Sequence, residues 1–423
     1  MELKVFESTY DKQTHAYRVG EEPLVFHCHH YNLFLQNTIE DGGDFYDAEK
    51  LQVQSAEHVV YHQLKVLETK GITLGDILQV YSDAGFGKLS FEVMKEEGGL
   101  VTSISEHYGV GYISKYNPRK PEESGVSYFT RGFIAAVFAF MYQKPLYSYE
   151  VTQTECFSKG DTRAAFEVQL RNQPDIPLFN FQHGKGVLGE TPVFENPQNT
   201  SIDYLGIREA LINMPLAGAP DNGLIDAFGV LLTRHYANYC CNISYGMLYY
   251  LIKELGPEDG YAMVRDLLVE AGHVCGFNTF GGIMLSMEWN ALIKPMIQTR
   301  EDWIHGIIAC INALGWGTFI IEELIPYKSL KLRMYNDYES NHFLMYSLPE
   351  LKNLNKPICF LMMGGAAALM NLIYHTDITQ GPTLNEEFYN KTFKTAGKFV
   401  GKQTLCRSLG SPYALIEVTR ENE

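Results

Sequence analysis

The sequence predicts an α+β protein built from two tandem repeats. Each repeat carries helices packed on a twisted antiparallel sheet, and the two are arranged as a pseudo-two-fold dimer. Three observations predict it. The stretch Gln153-Thr154-Glu155-Cys156-Phe157-Ser158-Lys159-Gly160 returns 250 residues later as Gln403-Thr404-Leu405-Cys406-Arg407-Ser408-Leu409-Gly410. Both copies run on to strand-like ends, Phe166-Glu167-Val168 and Ile416-Glu417-Val418. Upstream, an apolar segment holding Gly132, Ala135, Ala136 and Tyr142 matches Gly364, Ala367, Ala368 and Tyr374 in register, and Ser105-Glu106-His107-Tyr108 aligns with Ser340-Asn341-His342-Phe343. Residues that both copies keep are the stronger candidates for necessity, although shared ancestry also preserves residues.

The first repeat is read as residues 1–170. Residues 55–68 read as a helix, and Leu74–Ala84 as a second amphipathic helix closed by Gly85. Leu89–Val93 alternates like a strand, Glu96-Glu97-Gly98-Gly99 reads as a hairpin turn, and Leu100–Ser105 as the partner strand. Asn117-Pro118-Arg119-Lys120-Pro121 is a loop. A helix over about 128–142 and two strands near 146–156 and 163–170 complete the unit. Residues 171–226 are rich in Pro, Gly and Asn, with one helical stretch, Ile202–Ile212. They read as a linker packed on the domains, because Phe179, Phe181 and Phe194 are too apolar for a free tether. The second repeat, 227–423, opens with helices over about 243–255 and 257–272. Gly315-Trp316-Gly317 then echoes Gly85-Phe86-Gly87, Leu330–Met334 is a strand, Cys359–His375 the apolar helix and Tyr413–Val418 the last strand.

Composition narrows the partners. The chain has 423 residues and a net charge of −16. So acidic a surface repels phosphate backbones, and nucleic acid is excluded as a partner. No apolar run reaches membrane-spanning length and the opening Met1-Glu2-Leu3-Lys4 is no secretory signal, so no membrane partner is expected. The eight cysteines form no Cys-x-x-Cys pair and read as reduced thiols in a cytoplasm. Aromatics at 13% serve large cores or an aromatic-lined pocket.

The closing Gln-Thr-x-Cys segments after an apolar helix resemble the 4-vinyl-reductase-like domain family, which ends in a strand–Cys–short turn–strand pattern. That family is related in fold to subunits of vesicle-tethering trafficking particles and to haem nitric-oxide-binding domains. The resemblance covers about 100 residues of each copy, from Gly85 and Gly315 onward. It implies the α+β repeat and, from some relatives, a ligand-binding sensor or an assembly subunit. Relatives that bind structural zinc use Glu-x-x-Cys with a second Cys eight residues on. Here those positions are Gln153 and Gln403, and Ala164 and Ala414, so zinc is not expected beside Cys156 or Cys406.

Candidate chemistry is concentrated in the first copy. It holds His27-Cys28-His29-His30-Tyr31, then Glu57-His58, His62 and His107. His58 and His62, four apart on a helix, share a face and could clamp one metal ion. In an extended segment His27 and His29 share a face while His30 points away. The candidate metal ligands are therefore His27, His29, His30, His58, His62 and His107, with scattered structural histidines as the alternative. Iron is favoured as the ion and zinc is the second choice, since imidazole and carboxylate suit either. Glu57, His107 and Cys156 are the candidate catalytic groups, His107 as ligand or general base. In the second copy His273 aligns loosely with His58, Phe277 falls near His62, and His235-Tyr236 echoes His30-Tyr31. The glycine- and aromatic-rich stretch Gly276–Ile283 reads as a lid or a subdomain contact.

Three functions fit these residues. The favoured one is a metal-dependent enzyme, a non-haem iron oxidoreductase in its sharpest form. It acts on a small, largely apolar or aromatic substrate held by walls from the 128–142 helix. The alternatives are a small-molecule sensor and an assembly protein without catalysis. A small-molecule substrate is the expected partner, and a homo-oligomer is left open.

Overall fold

The computed structural model describes residues 8–120 and 123–421. Pro121 of the predicted loop lies outside them. Among the described residues the chain is mixed α and β, with three antiparallel sheets.

The N-terminal strands are β1 (Thr9–Asp11), β2 (Ala16–Val19) and β3 (Glu22–Cys28). They lead without a turn into α1 (His29–Asp41), then α2 (Ala48–Glu68) and α3 (Leu74–Asp83). Asp47 accepts from the Lys50 amide at the start of α2, and Thr73 with Asp76 closes a capping box on α3. A hairpin follows, β4 (Ser90–Lys95) and β5 (Gly98–Ser103), turning at Glu96-Glu97. Next come α4 (His107–Ile113), α5 (Tyr128–Met141), β6 (Tyr149–Glu155) and β7 (Ala164–Leu170). These strands form one sheet in the order β4-β5-β7-β6.

The connecting segment carries α6 (Tyr204–Ile212). Its Phe179 and Phe181 are buried, and Phe194 packs against the core. Strands β8 (Ile225–Ala227) and β9 (Val230–Tyr236) lead into α7 (Ala237–Leu255) and α8 (Pro257–Cys275). A π-helical turn, Gly276–Phe280, links α8 to α9 (Gly281–Leu285) and α10 (Met287–Leu292). Then come α11 (Glu301–Ala313), β10 (Thr318–Ile325), β11 (Ser329–Tyr335), α12 (Tyr338–Phe343) and α13 (Pro349–Lys352). The chain closes with α14 (Phe360–Met370), α15 (Glu386–Phe393), β12 (Phe399–Leu405) and β13 (Ala414–Arg420). Their sheet order, β10-β11-β13-β12, repeats the order of the first sheet.

The third sheet, β1-β2-β3-β9-β8, joins the two halves through antiparallel pairing of β3 with β9, Phe26 opposite Arg234. From that point contacts occur in reciprocal pairs. The Phe26 amide donates to Leu314 O (3.0 Å) and the Arg234 amide to Ala84 O (2.8 Å). Gly85 and Gly315 each hold φ +87°, and a Cβ there would lie 2.6 Å from Leu232 O and 2.8 Å from Leu24 O. Both positions therefore demand glycine on conformation and on space.

Helices α5 and α14 pack by their glycines. A Cβ on Gly132 would meet Val53 O and the Glu57 amide of α2, and one on Gly364 would meet Val269 O and the His273 amide of α8. This places His273 at the position of Glu57, one residue from the sequence alignment that paired it with His58. Likewise Glu106 caps α4 and Asp337 caps α12, accepting from Gly109 and Ser340 amides. His107 therefore stands opposite Tyr338, and the predicted match of His107 with His342 is a register error. Buried side chains of both halves form one continuous apolar core.

Candidate metal centre

Among the described residues one group of histidine, cysteine and acidic side chains comes close enough to hold an ion. It comprises His58, His62 and His183, whose donor atoms all lie within 4.8 Å of one another. The helix α2 makes half of it. One turn of α-helix sets His58 and His62 side by side, with ring centroids 4.6 Å apart. The connecting segment supplies His183, which stacks on His62 at 3.6 Å with an interplanar angle of 1°. His58 Nε2 lies 3.0 Å from His183 Nδ1.

The surroundings orient the rings. His58 Nδ1 lies 3.1 Å from the Tyr147 hydroxyl. When Nδ1–H donates there, Nε2 offers its lone pair to the cluster, a familiar way of fixing a ligand histidine. Phe181 packs on the His58 ring at 5.8 Å. Burial lowers all three pKa values. His58 falls to about 2, with further depression from His62 and His183, and His62 falls to about 4. His183 is lowered by burial and raised somewhat by Glu21. All three are thus neutral at pH 7, the protonation state a metal needs.

Glu57 does not join the cluster. Its carboxyl accepts from the Tyr147 amide at 2.6 Å, and burial pushes its pKa up to about 8. Tyr147 thus touches Glu57 through its backbone and His58 through its phenol. Beside it opens a polar cleft of about 330 Å³, lined by Lys50, Gln54, Glu57, Arg131, Tyr147 and Arg171 among others.

The other predicted ligands are elsewhere. His27 is the last residue but one of β3, and its Nε2 lies 3.1 Å from the Tyr338 hydroxyl. His29 and His30 begin α1, so His27 and His29 do not share a strand face as the sequence suggested. His29 Nδ1 accepts from the Leu231 amide (3.2 Å). His107 is fully buried, with Nε2 3.1 Å from Asn32 Nδ2. No Cys156–His107 pair forms, since Cys156 Sγ faces Ser158 Oγ at 3.0 Å. The apolar wall expected from residues 128–142 is core, with Phe133, Ile134 and Val137 almost inaccessible. His183 was missed. Its signal was present in Phe179-x-Phe181-x-His183, an alternation that puts three rings on one side of an extended segment.

No known protein-family model matches the chain, and no curated protein matches it. No helix among the described residues is long and apolar enough to cross a membrane.

Proposed function

We propose that the chain is an internally duplicated metalloprotein in which His58, His62 and His183 hold one divalent transition ion. The ion's remaining coordination position makes the protein a metal-dependent enzyme acting on a small organic substrate. The observation that carries this reading is the convergence of three neutral imidazoles within 4.8 Å. Three protein ligands with one position left open is the arrangement of catalytic rather than structural zinc. The all-nitrogen donor set favours zinc over the iron that a carboxylate ligand would suit. Such an ion would lower the pKa of a bound water and polarise a substrate oxygen. The charged cleft beside Tyr147 supports a polar substrate in place of the apolar one first expected.

The reciprocal contacts about Phe26 and Arg234, and the matching strand orders, support the halves as copies about a pseudo-two-fold axis, with residues 1–170 and 227–423 as repeats and 171–226 between them. The resemblance of the closing segments to the 4-vinyl-reductase-like family belongs to this proposal, as does a cytoplasmic location for eight free, buried thiols.

A second reading has its own support. His183 belongs to the connecting segment, so the ion could serve as a staple that fastens this segment to α2. Elemental analysis of anaerobically purified protein tests the site. About one equivalent of zinc or another transition metal per chain is expected, lost in His58→Ala, His62→Ala and His183→Ala. Metal-free wild-type protein that takes up no added Zn²⁺ would sink both readings. Retained metal with no hydrolase activity towards a panel of small esters and amides would favour the staple.

A further inference from the structure

A cavity of about 870 Å³ lies between α1 and the end of α4 on one side and α8, the π-helical turn and α15 on the other. Reciprocal contacts relate it to the imidazole cluster. Thr279 donates to Cys28 Sγ (3.1 Å), and the Tyr236 hydroxyl donates to Gln63 Oε1 (2.7 Å). Cys28 thus corresponds to Tyr236, and Thr279 to Gln63. The same register sets His30, Phe34, Val274 and Asn278 of the cavity opposite Asn238, Asn242, His58 and His62.

The two grooves are filled differently. Around His58 the connecting segment lies in the groove and two amides read its backbone. Asn242 accepts from the Gln182 amide (2.9 Å) and donates to Gln182 O (2.9 Å), while Asn238 donates to Gly184 O (2.8 Å). In the cavity those amides are replaced by His30 and Phe34, which cannot read a peptide in that way. The occupant there has an apolar body instead, against Phe34, Phe228, Val230, Phe277 and Leu384. The volume suits a small organic ligand.

One end of the cavity is polar and unsatisfied. His30 Nδ1 is buried with no hydrogen-bond partner. Lys115 has no carboxylate partner among the described residues, and its charge is felt at His30. The residue as a whole is exposed, yet protein atoms crowd the ammonium enough for desolvation to lower its pKa. Of the lining acids, Glu270 already pairs with Lys394 (2.8 Å) and Glu386 is exposed. A buried donor and a cation without an anion, set beside apolar walls, define the complement of an amphipathic anion.

We propose that this cavity binds a carboxylate with an apolar tail, the carboxylate between the Lys115 ammonium and His30 Nδ1–H and the tail along Phe34 and Phe277. The comparison of grooves rests on reading the halves as copies, whereas the cavity and its polar end do not depend on the metal.

Calorimetric titration with decanoate, and with decanol as its uncharged analogue, tests the proposal on the full chain. One decanoate per chain is expected. Lys115→Glu should weaken decanoate at least tenfold and leave decanol unchanged, with Lys115→Gln between. Leu384→Trp, which fills the cavity, should abolish both, and circular dichroism checks that each variant is folded. His183→Ala should lose metal and keep decanoate, so failure of the metal reading and failure of this one are separate results. No saturable decanoate binding by the wild type, or decanoate binding unaltered in Lys115→Glu or in Leu384→Trp, would overturn the proposal.

Discussion

The half before the connecting segment and the half after it share one sheet order and differ in the residues proposed to carry chemistry. Gly85 and Gly315 pass under the opposite strand, and Gly132 and Gly364 let helices touch. Gln153 accepts from the Ser127 amide, and Gln403 from the Ile358 and Cys359 amides, so both glutamines tie β6 or β12 to the start of the apolar helix. Cys156 and Cys406 each face a serine hydroxyl two residues on. Every one of these retained residues is architectural. The unusual groups occupy positions that changed. In the same register Glu57 corresponds to His273, His58 to Val274, His62 to Asn278 and His30 to Asn238. On the proposed reading of the halves as copies, retention marks the frame and divergence marks the candidate sites.

The strongest way to break this comparison is to unplug the filled groove. Phe181 is 5% exposed and packs on Phe179 and His58. Phe181→Ala should cost roughly 3–5 kcal/mol of stability by calorimetry, the usual range for a buried phenylalanine. The open groove has no counterpart side chain from the connecting segment. A loss under about 1 kcal/mol would mean that the segment is not part of the folded core.

The Glu57 and His273 pair predicts opposite pH limbs. Burial raises Glu57 to about 8, so it folds protonated. Its contribution is full below its unfolded value and is lost as pH rises towards 8. Burial lowers His273 to about 4, with Lys398 adding to the effect. Its contribution is full above its unfolded value and is lost as pH falls towards 4. Glu57→Gln should therefore gain on the wild type between pH 5 and 8, by on the order of 3 kcal/mol. His273→Gln should gain only on the acid side. Parallel melting curves for wild type and Glu57→Gln over that range would show that the carboxyl is solvated.

The metal should act on one half alone. Zn²⁺ at a hundred times its dissociation constant should stabilise the wild type by about 2.7 kcal/mol if it binds only the folded chain. His183→Ala should abolish that increment, while Asn278→Ala at the equivalent of His62 should leave it intact. Equal increments in all three proteins would place the ion elsewhere.

Much of the scaffold was legible because repetition and period speak directly. The helix at 74–84, the hairpin strands near 89–105 and the apolar helix near 128–142 emerged within a few residues of their observed ends. The sheet that joins the halves was not read. Strand β3 is buried on nearly every residue and enters α1 without a turn, so it shows neither alternation nor punctuation. That hidden boundary is why His27 and His29 were put on one strand face. The His58–His62 half of the cluster was legible from helical spacing. For His183 the alternation Phe179-x-Phe181-x-His183 marks a side that faces the protein, but which residues it meets depends on where the long connecting segment packs, and spacing along the chain does not carry that.

The smallest predicted effect concerns helix starts, where the halves agree. Thr73 caps α3, its hydroxyl accepting from the Asp76 amide while the Asp76 carboxylate accepts from the Thr73 amide (2.9 Å). Its counterpart, α11, opens on the same exchange: the Thr299 hydroxyl accepts from the Asp302 amide (3.3 Å) while the Asp302 carboxylate accepts from the Thr299 amide (2.8 Å). Free helix-end amides are satisfied by such caps or by water, so each helix has a cap to lose. Thr73→Ala should cost about 1 kcal/mol, read as a lowered denaturation midpoint with an unchanged slope. Thr299→Ala should cost a similar amount at α11, since it removes the same kind of bond. A loss at one of the two positions and none at the other would mean that the halves start these helices differently despite the matching bonds.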